Sequence, residues 1–495
     1  MIIAHDVGTT GDKATLVDDE GRLVASCTSA YATDFGPGGQ AEQDAEAWWR
    51  AVCAATRELL ERTSTPAARV DAVSFSGQMM GAVLLDRAGD PVRPATIWAD
   101  TRSVAQTATL VERVGMERGY AITGHRLNPT YSLAKVMWVR DHEPEAFART
   151  VAVVQAKDFV AHRLTGRLAT DPSDASSTNA FDQRTSTWSE ELLGAAGLPV
   201  SLFPEVVAST TVLGTVTREA AAACGLAEGT PVVVGGGDGP MGALGAGIIG
   251  PESGAYCYLG SSSWVSVAAD EPLHDPGMRT MTFNHVLPGR FVPTATMQAG
   301  GASLDWVVDL VGQDLADRHT VLLGEAGGVR ACEDGLFFLP HLLGERSPYW
   351  NPAARGVFAG LARHHGRAQL VRAVLEGIAF NLRTGLLAFV ENGVSIDTVD
   401  AIGGLARSDL ALQLLADVWG VPVVRRDLVE EATAVGAAVV AGVGVGLFAD
   451  FEVARRLSRT TRTSDPDPER QAAYAHAYPT FMDAYARLEP WFDRP

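Results

Sequence analysis

A carboxylate within a run of glycines, Gly235-Gly236-Gly237-Asp238-Gly239, is the group of this chain best placed to do chemistry. It follows the apolar run Pro231-Val232-Val233-Val234, which is typical of a buried strand, and a helix-like stretch comes after it. α/β proteins bind ligands at the carboxyl ends of strands, and a carboxylate there can take a proton from a hydroxyl group. The alternative is that Asp238 only caps the next helix.

Two tight turns that carry glycine and hydroxyl groups offer a way to hold phosphates. The first is Asp6-Val7-Gly8-Thr9-Thr10-Gly11, followed by Lys13, and the second is Gly260-Ser261-Ser262-Ser263. Glycine lets the backbone approach a phosphate, while N–H groups and hydroxyls donate to its oxygens. Asp6 could hold a hydrated Mg²⁺, and Lys13 could reach a phosphate. Each turn alone is also what an ordinary hairpin needs, so only the pair favours phosphate binding.

Two further segments have residue types that suit small ligands. The segment Trp98-Ala99-Asp100-Thr101-Arg102 combines a flat apolar ring with charged groups, a mixture that suits a sugar. The segment from Ile402 to Ser408 has small residues between a predicted strand and a predicted helix, which could admit an adenine ring. A surface ion pair and a close strand-to-helix turn are the respective alternatives.

The elements that must position these residues alternate between strands and helices, which indicates an α/β protein. The pattern predicts helices over Asp44–Glu61, Arg372–Glu391 and Asp409–Val418, and strands over Val70–Phe75 and Val399–Ile402. One internal repeat is present: an apolar strand, a tip of glycine and hydroxyls, and a returning strand occur near the start of each half. We therefore expect a domain boundary near residues 243–253.

Length and composition exclude several classes of protein. A chain of 495 residues is expected to form two or more domains. Its net charge of −19 excludes a basic nucleic-acid surface. We find no apolar run of the ~18–20 residues that a membrane span needs and no signal peptide pattern. The five scattered cysteines lack a CxxC pair, which predicts reduced thiols and a cytoplasmic location.

Known motifs for other chemistries are absent or fail on inspection. Gly237-x-Gly239-x-x-Gly242 matches the dinucleotide fingerprint, but no acidic residue follows about 20 positions on, which argues against an NAD-dependent oxidoreductase. The chain has no Gly-Lys pair, so a P-loop is excluded, and it has no HExxH motif or Cys/His cluster with metal spacing. His364-His365 is expected to lie in a solvated loop.

Taken together, the motifs resemble the FGGY family of carbohydrate kinases, closest to its xylulokinase-like members. The resemblance runs from Ile2 to about Gly446. Besides the segments above, it rests on motifs in their expected order: Gly77-Gln78-Met79-Met80-Gly81, Thr170-Asp171-Pro172-Ser173-Asp174-Ala175, Phe338-Leu339-Pro340, Gly344-Glu345-Arg346-Ser347-Pro348, Gly356-Val357-Phe358-Ala359-Gly360-Leu361 and Ala373-Val374-Leu375-Glu376.

The resemblance implies an α/β fold with two actin-like (ribonuclease H-like) ATPase domains flanking a catalytic cleft. It implies an N-terminal domain over residues 1–245, a nucleotide-binding domain over 246–450 and a helical extension over 451–495. Asp238 would be the catalytic base and, with Asp6, would act on Mg²⁺. The expected ATP-binding residues are Thr9, Thr10, Lys13, Gly260, Ser261, Ser262, Gly403, Gly404 and Ser408. The sugar pocket would contain Gln78, Met79, Met80, Trp98, Asp100 and Arg102 as well as Asp238.

Two departures from the family pattern bear on the substrate. Xylulokinases usually have His where this chain has Met80, and many have Asn where it has Gly239. The resemblance implies phosphorylation of D-xylulose, with another ketopentose, a tetrose or a polyol as alternatives. The rival from a different class is a non-catalytic ATP-binding switch of the actin or chaperone kind. The oligomeric state stays open between monomer and homodimer.

Overall fold

Two α/β halves, each built on a seven-stranded sheet, form the computed structural model, which describes residues 1–427 and 431–492. The strands of the first half are β1 (Ile2–Val7), β2 (Gly11–Val17), β3 (Leu23–Ala30), β4 (Asp34–Phe35), β5 (Ala41–Gln43), β6 (Ala72–Gly77), β7 (Val83–Leu85), β8 (Ala95–Thr96), β9 (Ala152–Val154), β10 (Phe181–Asp182), β11 (Thr187–Trp188), β12 (Val212–Thr215), β13 (Pro231–Val233) and β14 (Gly236–Gly237). Its helices are α1 (Ala45–Thr63), α2 (Val104–Val114), α3 (Met116–Thr123), α4 (Ser132–His142), α5 (Pro144–Arg149), α6 (Ala156–Thr165), α7 (Pro172–Ala175), α8 (Glu190–Ala196), α9 (Arg218–Cys224) and α10 (Asp238–Gly245).

The second half follows the same alternation of strands and helices. Its strands are β15 (Ala255–Leu259), β16 (Ser263–Val267), β17 (Met281–Asn284), β18 (Phe291–Met297), β19 (Phe337–Leu339), β20 (Val357–Ala359), β21 (Val399–Ile402), β22 (Val423–Arg426) and β23 (Thr460–Ser464). Its helices are α11 (Gly301–Val311), α12 (Arg318–Gly327), α13 (Arg367–Glu391), α14 (Asp409–Trp419), α15 (Ala432–Gly444), α16 (Val453–Leu457) and α17 (Pro468–Phe492).

The two large sheets share one topology. In the first, β1, β2 and β3 form an antiparallel meander, while β6 lies parallel to β1 and β13 parallel to β6. In the second, β15, β16 and β18 repeat the meander, and β21 and β22 repeat the parallel strands. The internal repeat in the sequence therefore marks two halves of the same actin-like topology, which confirms the expected fold class.

The parallel pairing fixes where the site lies. β1, β6 and β14 are neighbours in register, so that Asp6 lies opposite Ser76 and Gly237 lies opposite Gly77. Asp238, the first residue of α10, directly follows Gly237. The carboxyl ends of these strands meet at one edge of the sheet, where α/β proteins bind ligands. Asp6 and Asp238 are therefore brought to the same edge.

Local signals explain the helix that begins the first half and the longest one of the second. Asp44 caps α1 by accepting from the backbone N–H of Glu46 at 3.0 Å. α13 begins at Arg367, five residues before the predicted start, because the Gln369 side chain accepts from the Gly366 N–H at 3.0 Å. By length and composition α13 is also apolar enough to cross a membrane, contrary to the sequence expectation, but 83% of its most apolar window is buried in the fold.

The two halves are joined by more than their linker. α15 belongs to the second half in sequence, but it packs against α10 and against β1 and β6 of the first sheet. Its small, buried side chains, such as Ala434, Ala437 and Ala438, allow this close packing. The C-terminal segment 451–495 also differs from the all-helical expectation, because β23 pairs with β22 at the edge of the second sheet. Residues 493–495 of that segment lie outside the described residues.

Candidate active site

A central cavity of about 390 Å³ lies between the two halves, and both contribute to its wall. It contains the end of β1, both predicted phosphate turns, and the start of α10. Of the residues predicted from the sequence, the following line it: Asp6, Thr9, Thr10, Lys13, Met79, Met80, Trp98, Asp238 and Ser262. The structure thus brings together residues that are up to 256 positions apart in the chain, as between Asp6 and Ser262.

The first turn is held in shape by hydrogen bonds from four side chains, of which only that of Trp98 lines the cavity. The Gly8 carbonyl accepts from the Tyr31 hydroxyl at 2.5 Å and from the Gln78 side-chain amide at 3.1 Å. The Gln43 amide donates to the Thr9 carbonyl at 2.6 Å, and the Trp98 indole N–H donates to the Thr9 hydroxyl at 2.9 Å. These bonds fix the turn, so that its N–H groups and hydroxyls are positioned before any ligand arrives.

The second turn is supported by the N-terminus of α11. The Gly301 N–H donates to the Gly260 carbonyl at 2.8 Å, and the Ala302 N–H donates to the Ser261 carbonyl at 3.1 Å. Ser262 and Ser263 line the cavity, whereas Gly260 and the exposed Ser261 do not. Below the turn, the rings of Tyr258 and Trp264 stack with centroids 4.1 Å apart. Both halves therefore present a rigid turn with hydroxyl groups to the same cavity.

Asp238 has the electrostatics of a general base. Burial raises its pKa to about 7, and the negative charge of Asp6 contributes to the same shift. Its carboxylate accepts from the Gly239 N–H at 2.7 Å, while Gly237 occupies the cap position of α10 without a side-chain bond. The side chain therefore binds one helix N–H and still faces the cavity. A carboxylate with a pKa near neutrality is well suited to accept a proton from a hydroxyl.

Asp6 lines the same cavity as Asp238, and both residues are half-buried. Burial raises its pKa, although the Thr433 hydroxyl donates to it at 2.7 Å and the Ser76 hydroxyl at 3.0 Å. Two acidic side chains at one cavity wall, each with its pKa raised by burial, fit a hard divalent cation, because Mg²⁺ prefers carboxylate oxygens and water. The residues present therefore fit the expected Mg²⁺ together with a phosphate chain.

Met80 is held in an unusual backbone conformation at the cavity wall. Its φ of 65° lies in the left-handed region, which side chains of this size rarely adopt. Its N–H donates to the Ser177 hydroxyl at 3.1 Å, and its carbonyl accepts from the buried Lys135 ammonium at 2.8 Å. Lys135 also donates to the carbonyls of Ile97 and Thr130, both at 2.6 Å. One lysine thus joins the Met80 segment to the Trp98 segment.

Three residues expected at the sugar do not line the cavity. Asp100 is 2% exposed and accepts from the Ala41 N–H at 3.0 Å and from the Arg102 guanidinium at 2.9 Å. Arg102 also pairs with Glu42 and lies over the Trp138 ring. Because the two charges satisfy each other, they brace the Trp98 segment from behind. Gln78 likewise donates to the first turn, as described above.

The segment expected at adenosine lies next to the cavity. Ile402 lines it, whereas Gly403, Gly404 and Ser408 do not. Gly403 has a φ of 92°, and a Cβ there would lie 2.8 Å from the Leu259 backbone, so close packing requires glycine. The Ser408 hydroxyl accepts from the Ala411 N–H at 3.3 Å and caps α14. These residues shape the strand-to-helix turn beside Ile402.

Two of the cavity residues that sequence reasoning missed contact predicted site residues. Thr433 binds Asp6 from the start of α15, and Arg346 contacts the Met80 sulfur. Both are separated from their partners by hundreds of residues, so no spacing could reveal them. The motif around Arg346 was the only available signal.

One surface group also departs from expectation. Asp334, His364 and His365 offer potential metal-ligand atoms within 4.8 Å of one another. Sequence spacing did not show it, because Asp334 is distant in the chain. His364 bonds to Asp334 at 2.6 Å, while His365 Nδ1 accepts from the Ala362 N–H. Nδ1 of His365 is therefore already engaged by the backbone, which disfavours metal binding by this nitrogen.

Both halves of the chain match models of one known protein family. The model of the FGGY family of carbohydrate kinases, N-terminal domain, matches residues 1–245, and that of the C-terminal domain matches residues 255–445. Xylulose kinase of Escherichia coli (strain K12) is 34% identical over 490 residues, which is 99% of each chain.

Solved structures extend the similarity to the whole fold. The ligand-bound xylulose kinase from Lactobacillus acidophilus superposes with a TM-score of 0.93 at 27% identity, covering 99% of this chain and 98% of that one. A gluconate kinase from the same organism superposes with a TM-score of 0.91, also at 27% identity, and covers 98% of both chains. The fold is therefore shared by relatives that carry different substrate names.

Proposed function

Because the chain belongs to the FGGY family of carbohydrate kinases, we propose that it transfers the γ-phosphoryl group of ATP to D-xylulose, forming D-xylulose 5-phosphate. It is a phosphotransferase with an alcohol group as acceptor, as the family match shows. The observation that supports the proposal best is the base-like carboxylate of Asp238 in a cavity that both phosphate turns also line. The near full-length similarity to a xylulose kinase supports the choice of sugar.

Asp238 is the residue that accepts the proton. In this proposal its carboxylate orients the acceptor hydroxyl and takes its proton as the oxygen attacks phosphorus, while ADP leaves. Phosphoryl transfer needs little covalent help from the protein, so positioning and neutralisation of charge account for most of the rate. General base catalysis contributes a rate factor of about 10²–10⁴. Closure of the two halves over the substrates would also exclude water, which would otherwise compete as an acceptor.

The phosphates are proposed to bind between the two turns. Thr9, Thr10 and Lys13 from the first turn and Ser262 from the second line one cavity. Asp6 and Asp238 would hold Mg²⁺, which supplies positive charge to the phosphate oxygens. Adenosine is proposed to lie beside Ile402 and the turn formed by Gly403, Gly404 and Ser408. The five cysteines are free, which fits the cytoplasm.

The sugar is proposed to contact the wall formed by Met79, Met80 and Trp98. The Trp98 ring offers a flat apolar face, and the methionines offer adaptable apolar contacts. Asp100 and Arg102 act from behind this wall rather than on the sugar. Met80, like Gly239, is a position that separates this chain from the usual xylulokinase pattern.

The test is an ATP-consumption assay over a panel of acceptors. D-xylulose, other ketopentoses, tetroses, xylitol and D-gluconate are compared by kcat/KM with purified enzyme, ATP and Mg²⁺. We expect D-xylulose to have the highest value. No turnover with any sugar, combined with tight ATP binding, would favour the actin-like switch instead. A higher value for gluconate would replace the proposed ketose by an aldonate.

A further inference from the structure

Arg346 places a guanidinium in the central cavity, against the proposed sugar wall. Its Nη1 lies 3.9 Å from the Met80 sulfur, and its Cζ lies 5.7 Å from the centroid of the Trp98 ring. Its positive charge also acts on Asp238, where it lowers the pKa. The guanidinium therefore lies among the residues proposed to contact the sugar and within electrostatic reach of the base.

The guanidinium is held in place by a buried network. Arg346 Nε donates to the Gln298 side-chain oxygen at 2.9 Å. The carboxylate of Glu345 accepts from the N–H groups of Gln298 at 2.9 Å and of Arg346 at 3.0 Å, and the Asn381 amide binds its second oxygen at 3.1 Å. The plane of the guanidinium is therefore fixed by residues from the second half of the chain.

Most of its donors remain available to a ligand. A guanidinium carries five N–H groups and no acceptor. One of them, on Nε, binds Gln298, and the nearest partner of Nη1 is the Met80 thioether, which is only a weak acceptor. Within residues 1–427 and 431–492, no oxygen accepts from Nη1 or Nη2 of Arg346. Arg346 is half-buried and lines the cavity, so its free donors can bind a ligand that brings an oxygen acceptor.

We propose that Arg346 is a specificity-determining residue that donates to the keto oxygen of the substrate, and so selects a ketose over the matching polyol. This inference rests on the proposed function. A keto oxygen only accepts hydrogen bonds, which complements a group that only donates. A polyol presents a hydroxyl at the same carbon, and that group must also find an acceptor for its own proton. Neither the Met80 sulfur nor the Trp98 ring supplies a strong one.

The contacts favour the sugar over the phosphoryl group as the partner of Arg346. Both side chains that the guanidinium touches across the cavity belong to the sugar wall. The phosphate groups of ATP are proposed to bind to other donors, which lie in the two turns. If Arg346 instead stabilised the transferred phosphoryl group, its loss would slow every acceptor by the same factor.

The experiment compares D-xylulose with xylitol, which differs only in having a hydroxyl in place of the keto oxygen. The kcat/KM ratio of the two substrates is measured for wild type, Arg346→Gln, Arg346→Lys and the control Arg383→Gln. Arg383 is a partly buried arginine over the Tyr478 ring, outside the cavity. Because each ratio is taken on one preparation, it does not depend on the fraction of protein that is folded.

We expect the wild type to prefer D-xylulose and Arg346→Gln to reduce the ratio by about tenfold, within the range for losing one buried charged donor. Arg346→Lys should fall between them, and Arg383→Gln should match wild type. An unchanged ratio with lower rates for both substrates, or lower ATP hydrolysis without sugar, would overturn the inference and assign Arg346 to the phosphoryl group.

The proposed function can fail separately. If the wild type does not phosphorylate D-xylulose but prefers another ketose, the proposed sugar is wrong, and the same ratio is measured for that ketose and its polyol. If the best substrate has no keto group, the inference about Arg346 is overturned as well.

Discussion

Asp238 combines two properties that are in conflict, since it must be ionised to act as a base and is buried where ionisation is disfavoured. We predict that Asp238→Asn lowers kcat by roughly 10²–10⁴ and changes ATP and sugar binding only a few-fold, because the amide has the same shape. Steady-state kinetics and binding titrations measure both. Near-normal turnover of this variant would reduce Asp238 to a residue that supports the start of α10.

The same conflict predicts a pH dependence. The pKa of Asp238 is raised to about 7, so the carboxylate is protonated and inactive below that pH. We expect kcat/KM to rise with pH and to level off above about 7. In Asp238→Asn the residual activity should no longer rise with pH over this range.

The stability of the fold has the opposite pH dependence, because an acid with a raised folded-state pKa loses stability as pH rises from about 4 to 7. The melting temperature of Asp238→Asn should therefore exceed that of wild type increasingly over this interval.

Met80 carries a prediction about the substrate. An imidazole can exchange hydrogen bonds with a sugar hydroxyl or accept one from Arg346, whereas a thioether is a weak acceptor. His also tolerates the left-handed backbone better than Met does. We predict that Met80→His raises kcat/KM for D-xylulose roughly 5- to 150-fold, the worth of about 1–3 kcal/mol. Met80→Leu is the matched control and should give no gain.

One combination of results would contradict the expectation for Met80→His. If wild type prefers D-xylulose by more than tenfold over the other acceptors, and Met80→His does not improve it, then the hydroxyl near Met80 already has a partner. Arg346 would be the first candidate for that partner, because its Nη1 lies beside the sulfur.

Sequence reasoning at the residue scale succeeded where a motif is contiguous. Asp6, Thr9, Thr10, Asp238 and Ser262 could be predicted to share a site because each lies at the tip of a strand. Thr433 and Arg346 could not, because their contacts with Asp6 and Met80 span 427 and 266 residues. Asp100 and Arg102 look like ligand-binding groups in sequence, but each is the partner of the other.

Between elements, the short helix α7 holds the turn that carries Asp238. The Gly237 N–H donates to the Ser173 hydroxyl at 3.0 Å, and that hydroxyl donates to Asp171 at 2.6 Å. Asp171 also lies 3.2 Å from the fully buried Lys157 ammonium. The residue before Asp238 is therefore tied to a buried charge network. The motif Thr170–Ala175, which had no assigned chemistry, has a positioning role in this arrangement.

We predict that Ser173→Ala lowers kcat about 5- to 150-fold, the cost of leaving the Gly237 N–H without an acceptor, while KM for ATP stays within a few-fold. The control is Ser74→Ala, which removes a buried hydroxyl in β6 that has no hydrogen-bond partner in the part of the chain that the structure describes. That variant should keep its activity. An equal loss in both variants would mean that packing in this sheet, rather than the bond to Gly237, limits turnover.

The elements themselves were easier to predict than their ends. The periodicity of apolar residues located α1, α14 and β21, because each is an uninterrupted run with a clear cap or turn. It missed the first turn of α13, whose cap uses Gly366 and Gln369 rather than Ser, Thr, Asp or Asn. It also missed β23, since a strand rich in Thr and Arg is recognisable only once its partner β22 is known.

At the scale of the whole molecule, two groups of contacts between the halves differ in kind, in addition to the packing of α15 against the first sheet. One group joins β17 to the first half through backbone bonds, including Thr282 N–H to the Gly124 carbonyl at 3.0 Å and Asn284 N–H to the Ser176 hydroxyl at 3.1 Å. The other group crosses the cavity and consists of weak contacts of the Arg346 guanidinium with the Met80 sulfur and the Trp98 ring. The first group resembles a permanent interface, whereas the second can be broken at small cost.

This difference predicts how the enzyme moves. Because the two phosphate turns lie on separate halves, bound MgATP and sugar contact both, and we expect the halves to open and close by bending near residues 243–253, between the end of α10 and the start of β15. The β17 contacts should persist while those of Arg346 break in the open form. Small-angle scattering should show a smaller radius of gyration with sugar and a non-hydrolysable ATP analogue together than without ligands. Each ligand alone is the control. An unchanged radius, with both ligands shown to be bound, would mean that the cavity is already closed in the free enzyme and that substrates enter by a local opening around Arg346.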